Sequence, residues 1–134
     1  MKITADTNVL VRALTGDHAE QSEAAQSALR KADLVALTIP TLCELVWVLQ
    51  GYKIRPSDIA ETIRGLINSA NVVANRSTVE AGLALLDAGG DFADGVIAHE
   101  GNWLGADTFV SFDSKAVKLM EAQGASARLL GQIS

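Results

Sequence analysis

The sequence has a single cysteine, Cys43, among its 134 residues. An intrachain disulfide is therefore impossible, and a zinc site built from cysteine ligands is not expected. No apolar run approaches the ~20 residues that a membrane span needs, and no basic region, apolar run and cleavage site open the chain. We therefore expect a cytoplasmic protein. Phosphate-binding glycine motifs, internal repeats and linkers are also missing, so we expect one domain over residues 1–134.

Basic residues are scarce where acidic residues are dense. The chain has 11 Lys and Arg against 16 Asp and Glu, and its net charge of −5 has the wrong sign for a general nucleic-acid binder. Residues 80–113 contain no Lys or Arg and seven carboxylates, which repel one another on folding unless cations intervene. A solvated acidic face is the preferred interpretation for three of them, Glu80, Asp87 and Glu100.

Apolar residues make up 49% of the chain, and its mean hydropathy is +0.21. A chain of this length can bury a substantial core. This composition gives more apolar surface than one small domain can hide, which favours a homo-oligomer or an obligate partner.

Short apolar runs alternate with segments of helical periodicity along the whole chain. This alternation predicts an α/β fold with a parallel sheet covered by helices and joined by right-handed crossovers. The predicted strands are 3–5, 34–39, 72–74, 108–112 and 127–130. The predicted helices follow residue 6 and cover 18–32, 40–50, 55–70, 77–88, 92–104 and 113–123.

Two aspartates directly follow predicted strands: Asp6 follows KITA, and Asp113 follows TFVSF. The carboxyl ends of strands in an open α/β sheet form the edge where ligands bind, so both are candidates for chemistry. Because Asp is also a favoured helix cap, each could instead only cap the helix that follows it.

Glu44 is the only charged residue between Asp33 and Lys53. Its helix, TLCELVWVLQ, is apolar nearly all round, which is typical of a helix buried on most sides. A buried carboxylate must pair with a cation or bind a metal. The alternative is a single Glu that faces a solvent-lined groove.

Asp94 lies on a helical face that is otherwise small and apolar, with Ile97 and Ala98. Asp91, one turn earlier, either belongs to the same cluster or caps the helix, and we prefer capping. With Asp6, Glu44 and Asp113, Asp94 completes a pattern of four acids that one common cause explains better than four separate ones.

That common cause is a divalent cation. Ligand sets made only of oxygen suit Mg2+ or Mn2+ rather than Zn2+, and clustered carboxylates raise one another's pKa unless a metal neutralises them. The expected chemistry is phosphodiester hydrolysis, since a cation polarises a phosphoryl oxygen and lowers the pKa of bound water. The metal would also let an acidic protein engage RNA. Further contacts with the RNA could come from a locally basic stretch, which contains Lys53, Arg55, Arg64 and Arg76.

Two other classes of protein compete with a nuclease. A receiver domain needs an acidic pair near its first strand and a phosphoacceptor Asp after a later strand. Here Asp6-Thr7-Asn8 supplies one acid and no Asp follows LVALTI, so this class is disfavoured. A non-catalytic binding module that keeps the fold for partner assembly stays open.

The motifs DTNVL at Asp6, TLCELVWVL around Glu44, FADGVIAH at Asp94 and TFVSFDSKA at Asp113 resemble those of PIN-domain ribonucleases, specifically the VapC toxins of bacterial type II toxin–antitoxin pairs. The similarity covers nearly the whole chain, in order and spacing. It implies a compact three-layer α/β/α fold with a parallel sheet of about five strands. It also implies Mg2+ or Mn2+ bound by the four acids.

The resemblance implies a function and partners as well. We expect a toxin that cleaves RNA, often tRNA, forms a homodimer and is inhibited by a small antitoxin that wraps it. Such an antitoxin often pushes an Arg towards the acids, and a guanidinium pairs well with carboxylates. A solitary RNA-processing nuclease is the alternative within the same family. Asn8 and Ser111 match polar positions that support the acidic site.

His99 departs from the family pattern, where small or aliphatic residues are common. It lies five residues beyond Asp94, about 140° around an ideal helix, so we expect a packing or surface residue rather than a ligand. Trp47 and Trp103 could stack on bases. Their apolar neighbourhoods instead favour a place in the core or in a dimer interface.

Overall fold

A computed structural model describes residues 1–131, so the last three residues of the predicted 1–134 domain lie outside the described part. The chain divides into two compact units, Met1–Arg76 and Ser77–Ser134. Each unit has its own parallel sheet and its own helices. The prediction of a single domain therefore stays a prediction.

The first unit has a three-stranded parallel sheet. Its elements are β1 (Lys2–Thr4), α1 (Thr7–Thr15), α2 (Ala19–Lys31), β2 (Leu34–Ala36), α3 (Ile39–Gly51), α4 (Pro56–Ile67) and β3 (Val72–Val73). The strand order is β1-β2-β3, with Ile3 opposite Val35 and Val35 opposite Val72. Parallel neighbours need a crossover connection, and the helices between the strands supply it.

The core of the first unit comes from apolar side chains that recur every three or four positions on its helices. Each fully buried Leu or Ile contributes about 1.5–3 kcal/mol relative to an exposed one. Those with the least exposure are Leu10, Leu42, Leu45, Ile59 and Ile63.

Local chemistry at Thr38 explains why the strand predicted over 34–39 is shorter in the structure. The Thr38 side chain accepts a hydrogen bond from the backbone N of Thr41 at 3.4 Å and so caps α3. Pro40, which has no N–H to satisfy, lies in the first turn of α3. The strand ends at Ala36 because the chain turns into the helix here.

The second unit has a two-stranded parallel sheet. Its elements are α5 (Arg76–Asp87, beginning at the last residue of the first unit), α6 (Phe92–Trp103), β4 (Phe109–Ser111), α7 (Ser114–Ala122) and β5 (Ala127–Leu129). Val110 of β4 lies opposite Arg128 of β5. The core of this unit includes Val79, Leu83, Leu86, Phe92 and Met120.

Helices α5 and α6 approach each other closely at two glycines. A Cβ on Gly95 would lie 2.4 Å from the backbone oxygen of Ala81, and a Cβ on Gly82 would lie 2.6 Å from the Phe92 ring. Real Cβ atoms do not approach other atoms this closely, so the crossing requires glycine. This contact fixes the position of α6, and therefore of Asp94 beside Gly95.

The predicted fold class is confirmed. Residues 1–131 form seven helices and five strands, all strand pairs are parallel, and the mixed α/β arrangement is consistent with the predicted α/β/α fold. The five strands lie in two sheets, of three and two strands. Element types agree with the predictions throughout, and element ends differ by up to three residues.

Candidate active site

Asp6 occupies the turn between β1 and α1 and is exposed. Its Oδ1 accepts a hydrogen bond from the backbone N of Thr7 at 2.8 Å, so the capping interpretation is confirmed. A carboxylate has two oxygens and several acceptor sites, so capping leaves Asp6 able to bind a ligand as well.

Thr7 is a polar residue that the sequence reasoning missed. It is 6% exposed, and its Oγ1 has no hydrogen-bond partner within residues 1–131. A buried hydroxyl without a partner costs about 1–3 kcal/mol. The only sequence signal for it is its place in DTN, directly after Asp6.

Glu44 is exposed, so the expectation that it lies buried in α3 is wrong. The helix buries one face, which includes Leu42, Leu45 and Leu49, and it exposes Glu44 and Trp47. The sequence looked apolar all round because the exposed face also carries apolar side chains. Burial therefore does not require a cation beside Glu44, and its role as a ligand stays a proposal.

Asp94 lies in the first turn of α6 and is half-buried. Two other acids of the second unit cap helices. Asp91 accepts a hydrogen bond from the backbone N of Ala93 at 3.0 Å at the start of α6. Asp113 accepts one from the backbone N of Lys115 at 2.9 Å at the start of α7. The capping interpretations of both residues are confirmed.

These three carboxylates interact electrostatically. Burial raises the pKa of Asp94 above its usual value of 3.8, and the charges of Asp91 and Asp113 raise it further. Asp91 therefore both caps α6 and interacts with Asp94, so the two interpretations of Asp91 hold together. We call Asp91, Asp94 and Asp113 the acidic cluster.

Ser111, the last residue of β4, helps to position Asp113. Its Oγ accepts a hydrogen bond from the backbone N of Asp113 at 3.0 Å. This contact fixes the turn from strand to helix, so that the Asp113 carboxylate is held at the start of α7. The bond is consistent with the supporting role predicted for Ser111, and that role stays a prediction. Asn8, the other predicted supporting residue, is exposed on α1.

The acidic cluster suits a divalent cation in its chemistry. Its donors are all carboxylate oxygens, which Mg2+ and Mn2+ prefer, and a cation would relieve the repulsion that raises the pKa of Asp94. Its geometry is less complete. Within residues 1–131, no three His, Cys, Asp or Glu side chains are arranged to hold a metal ion. Metal binding at Asp6, Glu44, Asp94 and Asp113 therefore stays a proposal.

The structure agrees with the prediction for His99 but not with burial of the two tryptophans. His99 is half-buried, and its Nε2 has no hydrogen-bond partner within the described residues, which agrees with a packing residue. Trp47 is 74% exposed and Trp103 is 78% exposed, so a place in the core is wrong for both. Their place in a dimer interface stays a prediction.

The PIN domain family matches residues 3–121, a range that spans both units and all four predicted site acids. The chain therefore belongs to the PIN-domain family. PIN domains are nucleases that generally depend on divalent metal ions, so membership indicates a nuclease fold that acts on nucleic acid. The comparison with curated proteins gives no match. No helix within residues 1–131 is long and apolar enough to cross a membrane.

Proposed function

We propose that the protein is the toxin of a VapC-type toxin–antitoxin pair and a metal-dependent endoribonuclease. Asp6, Glu44, Asp94 and Asp113 are the proposed site residues, with Mg2+ or Mn2+ as cofactor. One observation carries the proposal: a member of a nuclease family holds a half-buried Asp94 whose pKa is raised by burial and by two neighbouring carboxylates. Perturbed carboxylates of this kind are typical of functional sites.

The chain's own residues supply position and charge in this proposal. Asp6 and Asp113 are fixed by the helices that they cap, and each retains acceptor capacity on its carboxylate. Asp94 supplies a negative charge in a half-buried setting, where electrostatic interactions are stronger than in bulk water. A bound Mg2+ or Mn2+ would neutralise charge at the scissile phosphate and favour hydroxide as the nucleophile at neutral pH.

Control by a small antitoxin and assembly as a homodimer complete the proposal. Both are supported by apolar side chains that stay exposed on the chain, which a partner surface could cover. The most exposed of them include Trp103, Leu104 and Phe112, at 78 to 89% exposure. An antitoxin Arg directed at the acidic cluster would pair with carboxylates that lack an ion-pair partner within residues 1–131.

Cleavage of total cellular RNA by the purified, antitoxin-free protein tests the nuclease proposal. We expect discrete fragments with Mg2+ or Mn2+, none with EDTA, and none from Asp94→Asn or Asp6→Asn. Full cleavage by Asp6→Asn, in a preparation shown to be free of contaminating nuclease, would contradict the mechanism.

A non-catalytic PIN-like binding module is the second candidate. It is favoured because, within residues 1–131, no three His, Cys, Asp or Glu side chains are arranged to hold a metal ion. RNA binding that survives EDTA, together with no cleavage under any metal, would support it. Cleavage without toxicity or an antitoxin partner would instead indicate a solitary RNA-processing nuclease.

A further inference from the structure

Trp47 is a large aromatic side chain that the fold leaves in solvent. It is 74% exposed, although the neighbouring residues Leu45, Val46 and Leu49 are buried. It lies three residues after Glu44, so the two share a face of α3 and are separated by about 4.5 Å along the helix axis. An exposed indole thus lies one turn from a proposed site acid.

A groove opens beside this tryptophan. It has a volume of about 520 Å3 and is lined by Trp47, Val48, Gln50, Gly51 and Tyr52. A Cβ placed on Gly51 would meet no atom within 4 Å, so the space beside this lining residue is open. The volume lies within the range of about 300–1,000 Å3 that is typical of small-ligand sites.

The second aromatic ring of the groove is held in place. The hydroxyl of Tyr52 donates a hydrogen bond to Asp17 Oδ2 at 2.8 Å. Arg12 donates to the other oxygen of Asp17 at 3.1 Å and forms an exposed ion pair with it. The groove therefore has an aromatic ring at Tyr52 whose position is held by a hydrogen bond.

The charged residues that follow the groove in the sequence are basic. Between Glu44 and Asp58 the only charged residues are Lys53 and Arg55. Lys53 is exposed, and within residues 1–131 the ion pair of Arg55 is an exposed one with Asp58, which is weak in water. Aromatic rings next to cations are the combination that single-stranded nucleic acids require, because bases stack on the rings and phosphates meet the cations.

We propose that Trp47 and the groove leading to Tyr52 bind an unpaired base of the RNA substrate, with Lys53 and Arg55 meeting its backbone. This inference rests on the proposed function, because that proposal is what makes RNA the substrate. It assigns the binding of that base to one end of α3, through Trp47 and Tyr52. A duplex cannot satisfy the site because its bases are already stacked on one another.

Tryptophan fluorescence tests this inference, with Trp103 as a matched control. Trp103 is 78% exposed but belongs to the second unit, Ser77–Ser134. In the Asp94→Asn background, which prevents cleavage, Trp103→Phe leaves Trp47 as the only reporter, and Trp47→Phe leaves Trp103. We expect an unstructured eight-nucleotide RNA of mixed sequence to quench Trp47 but not Trp103. The same RNA annealed to its complement should quench neither.

Kinetics on the otherwise unaltered protein provide the second measurement. Stacking on an aromatic ring strengthens binding by about 5- to 150-fold, so Trp47→Ala should raise KM by roughly that factor and change kcat much less. Trp47→Phe should keep most of the affinity, and Trp103→Ala should match the unaltered protein. Circular dichroism checks that each variant is folded.

Three results would overturn the inference. They are an unchanged Trp47 signal with single-stranded RNA, equal quenching by duplex, and Trp47 emission that responds only to protein concentration, as for a dimer interface. If the protein cleaves RNA while Trp47 is unquenched, the stacking site fails and the nuclease stands. If Trp47 is quenched but no RNA is cleaved, the nuclease fails and the binding site stands.

Discussion

The two units of the chain carry their charge in different ways. Met1–Arg76 contains eight basic and eight acidic residues, whereas Ser77–Ser134 contains three basic and eight acidic residues. The whole net charge of −5 therefore belongs to the second unit. The first unit is the better surface for an RNA backbone, and the second has the greater need for a cation.

Individual carboxylates show the same contrast. In the first unit, hydrogen bonds from Tyr52 and Thr15, with the Arg12 charge, hold the pKa of Asp17 below its usual value of 3.8. In the second unit, burial and the charges of Asp91 and Asp113 raise the pKa of Asp94. The charge of Asp17 is compensated by these neighbours, whereas Asp94 has no ion-pair partner within residues 1–131.

The largest expected effect is on activity. Asp94→Asn should reduce RNA cleavage at least a hundredfold, because metal-assisted charge stabilisation is worth several kcal/mol. It should also raise the Tm of the metal-free protein by about 1–3 °C, because a destabilising charge is removed. Cleavage assays and thermal unfolding in EDTA measure the two effects.

Asp6→Asn is the matched change in the first unit. It should abolish cleavage but leave Tm unchanged, because Asn caps helices as well as Asp does. A drop in Tm for Asp94→Asn, or a rise in Tm for Asp6→Asn, would contradict the view that the destabilising carboxylate is Asp94 and not Asp6.

Added metal should stabilise the protein through the acidic cluster. A ligand present at 100 times its Kd stabilises the folded state by about 2.7 kcal/mol. We expect Mn2+ to raise Tm accordingly and the rise to disappear in Asp94→Asn. Asp17→Asn, which removes a compensated acid of the first unit, should leave the Mn2+-dependent rise in Tm intact. Loss of this rise in Asp17→Asn would contradict a metal site at the acidic cluster.

Glycine substitutions probe packing near the cluster. Gly95→Ala should destabilise the protein by about 1–3 kcal/mol, because its Cβ would collide with the backbone of α5. Gly101→Ala on the same helix and Gly65→Ala on α4 meet no atom within 4 Å. Both should gain about 0.5–1 kcal/mol from helix propensity. Urea unfolding distinguishes these outcomes.

The smallest expected effect is on the pH dependence of stability. The lowered pKa of Asp17 stabilises the fold above pH 3.8, and this contribution is lost as pH falls through the folded pKa. The raised pKa of Asp94 acts oppositely, because its penalty is absent below pH 3.8 and develops as pH rises through the folded pKa.

Thermal unfolding in EDTA at pH 3 and pH 7 should reveal these opposite signs. Relative to the unaltered protein, Asp94→Asn should be more stable at pH 7 and about equal at pH 3. Asp17→Asn should be less stable at pH 7, with a smaller difference at pH 3. Differences of the same sign for both variants would argue against the contrast between the two carboxylates.

Helices and strands could be predicted because each depends on nearby residues. The apolar spacing of Ile59, Ile63 and Ile67 marks α4, and Asp113 marks the start of α7 as a cap. The exact ends of helices and strands were harder to predict because each depends on individual hydrogen bonds. One example is the Thr38 cap, which shortens β2.

The candidate site was predicted only in part. Asp6, Asp94 and Asp113 were recognisable as acids at helix starts or on apolar faces. Glu44 was misjudged because the sequence shows how apolar a helix is but not which of its apolar residues find a neighbour. For Asp91 the sequence left capping and membership of the cluster open, with capping preferred, since electrostatic interaction with Asp94 depends on distance in space.

The sequence by itself determined the order of strands and helices, the acidic character of residues 80–113 and the acids at helix starts, because these follow from local periodicity, charge and capping. Tertiary structure decided which side chains are buried. It left Trp47 and Glu44 in solvent, held Tyr52 against Asp17 and brought Asp91 and Asp113 within electrostatic reach of Asp94. Burial and charge interaction depend on neighbours that are distant in sequence, and only folding brings such neighbours together.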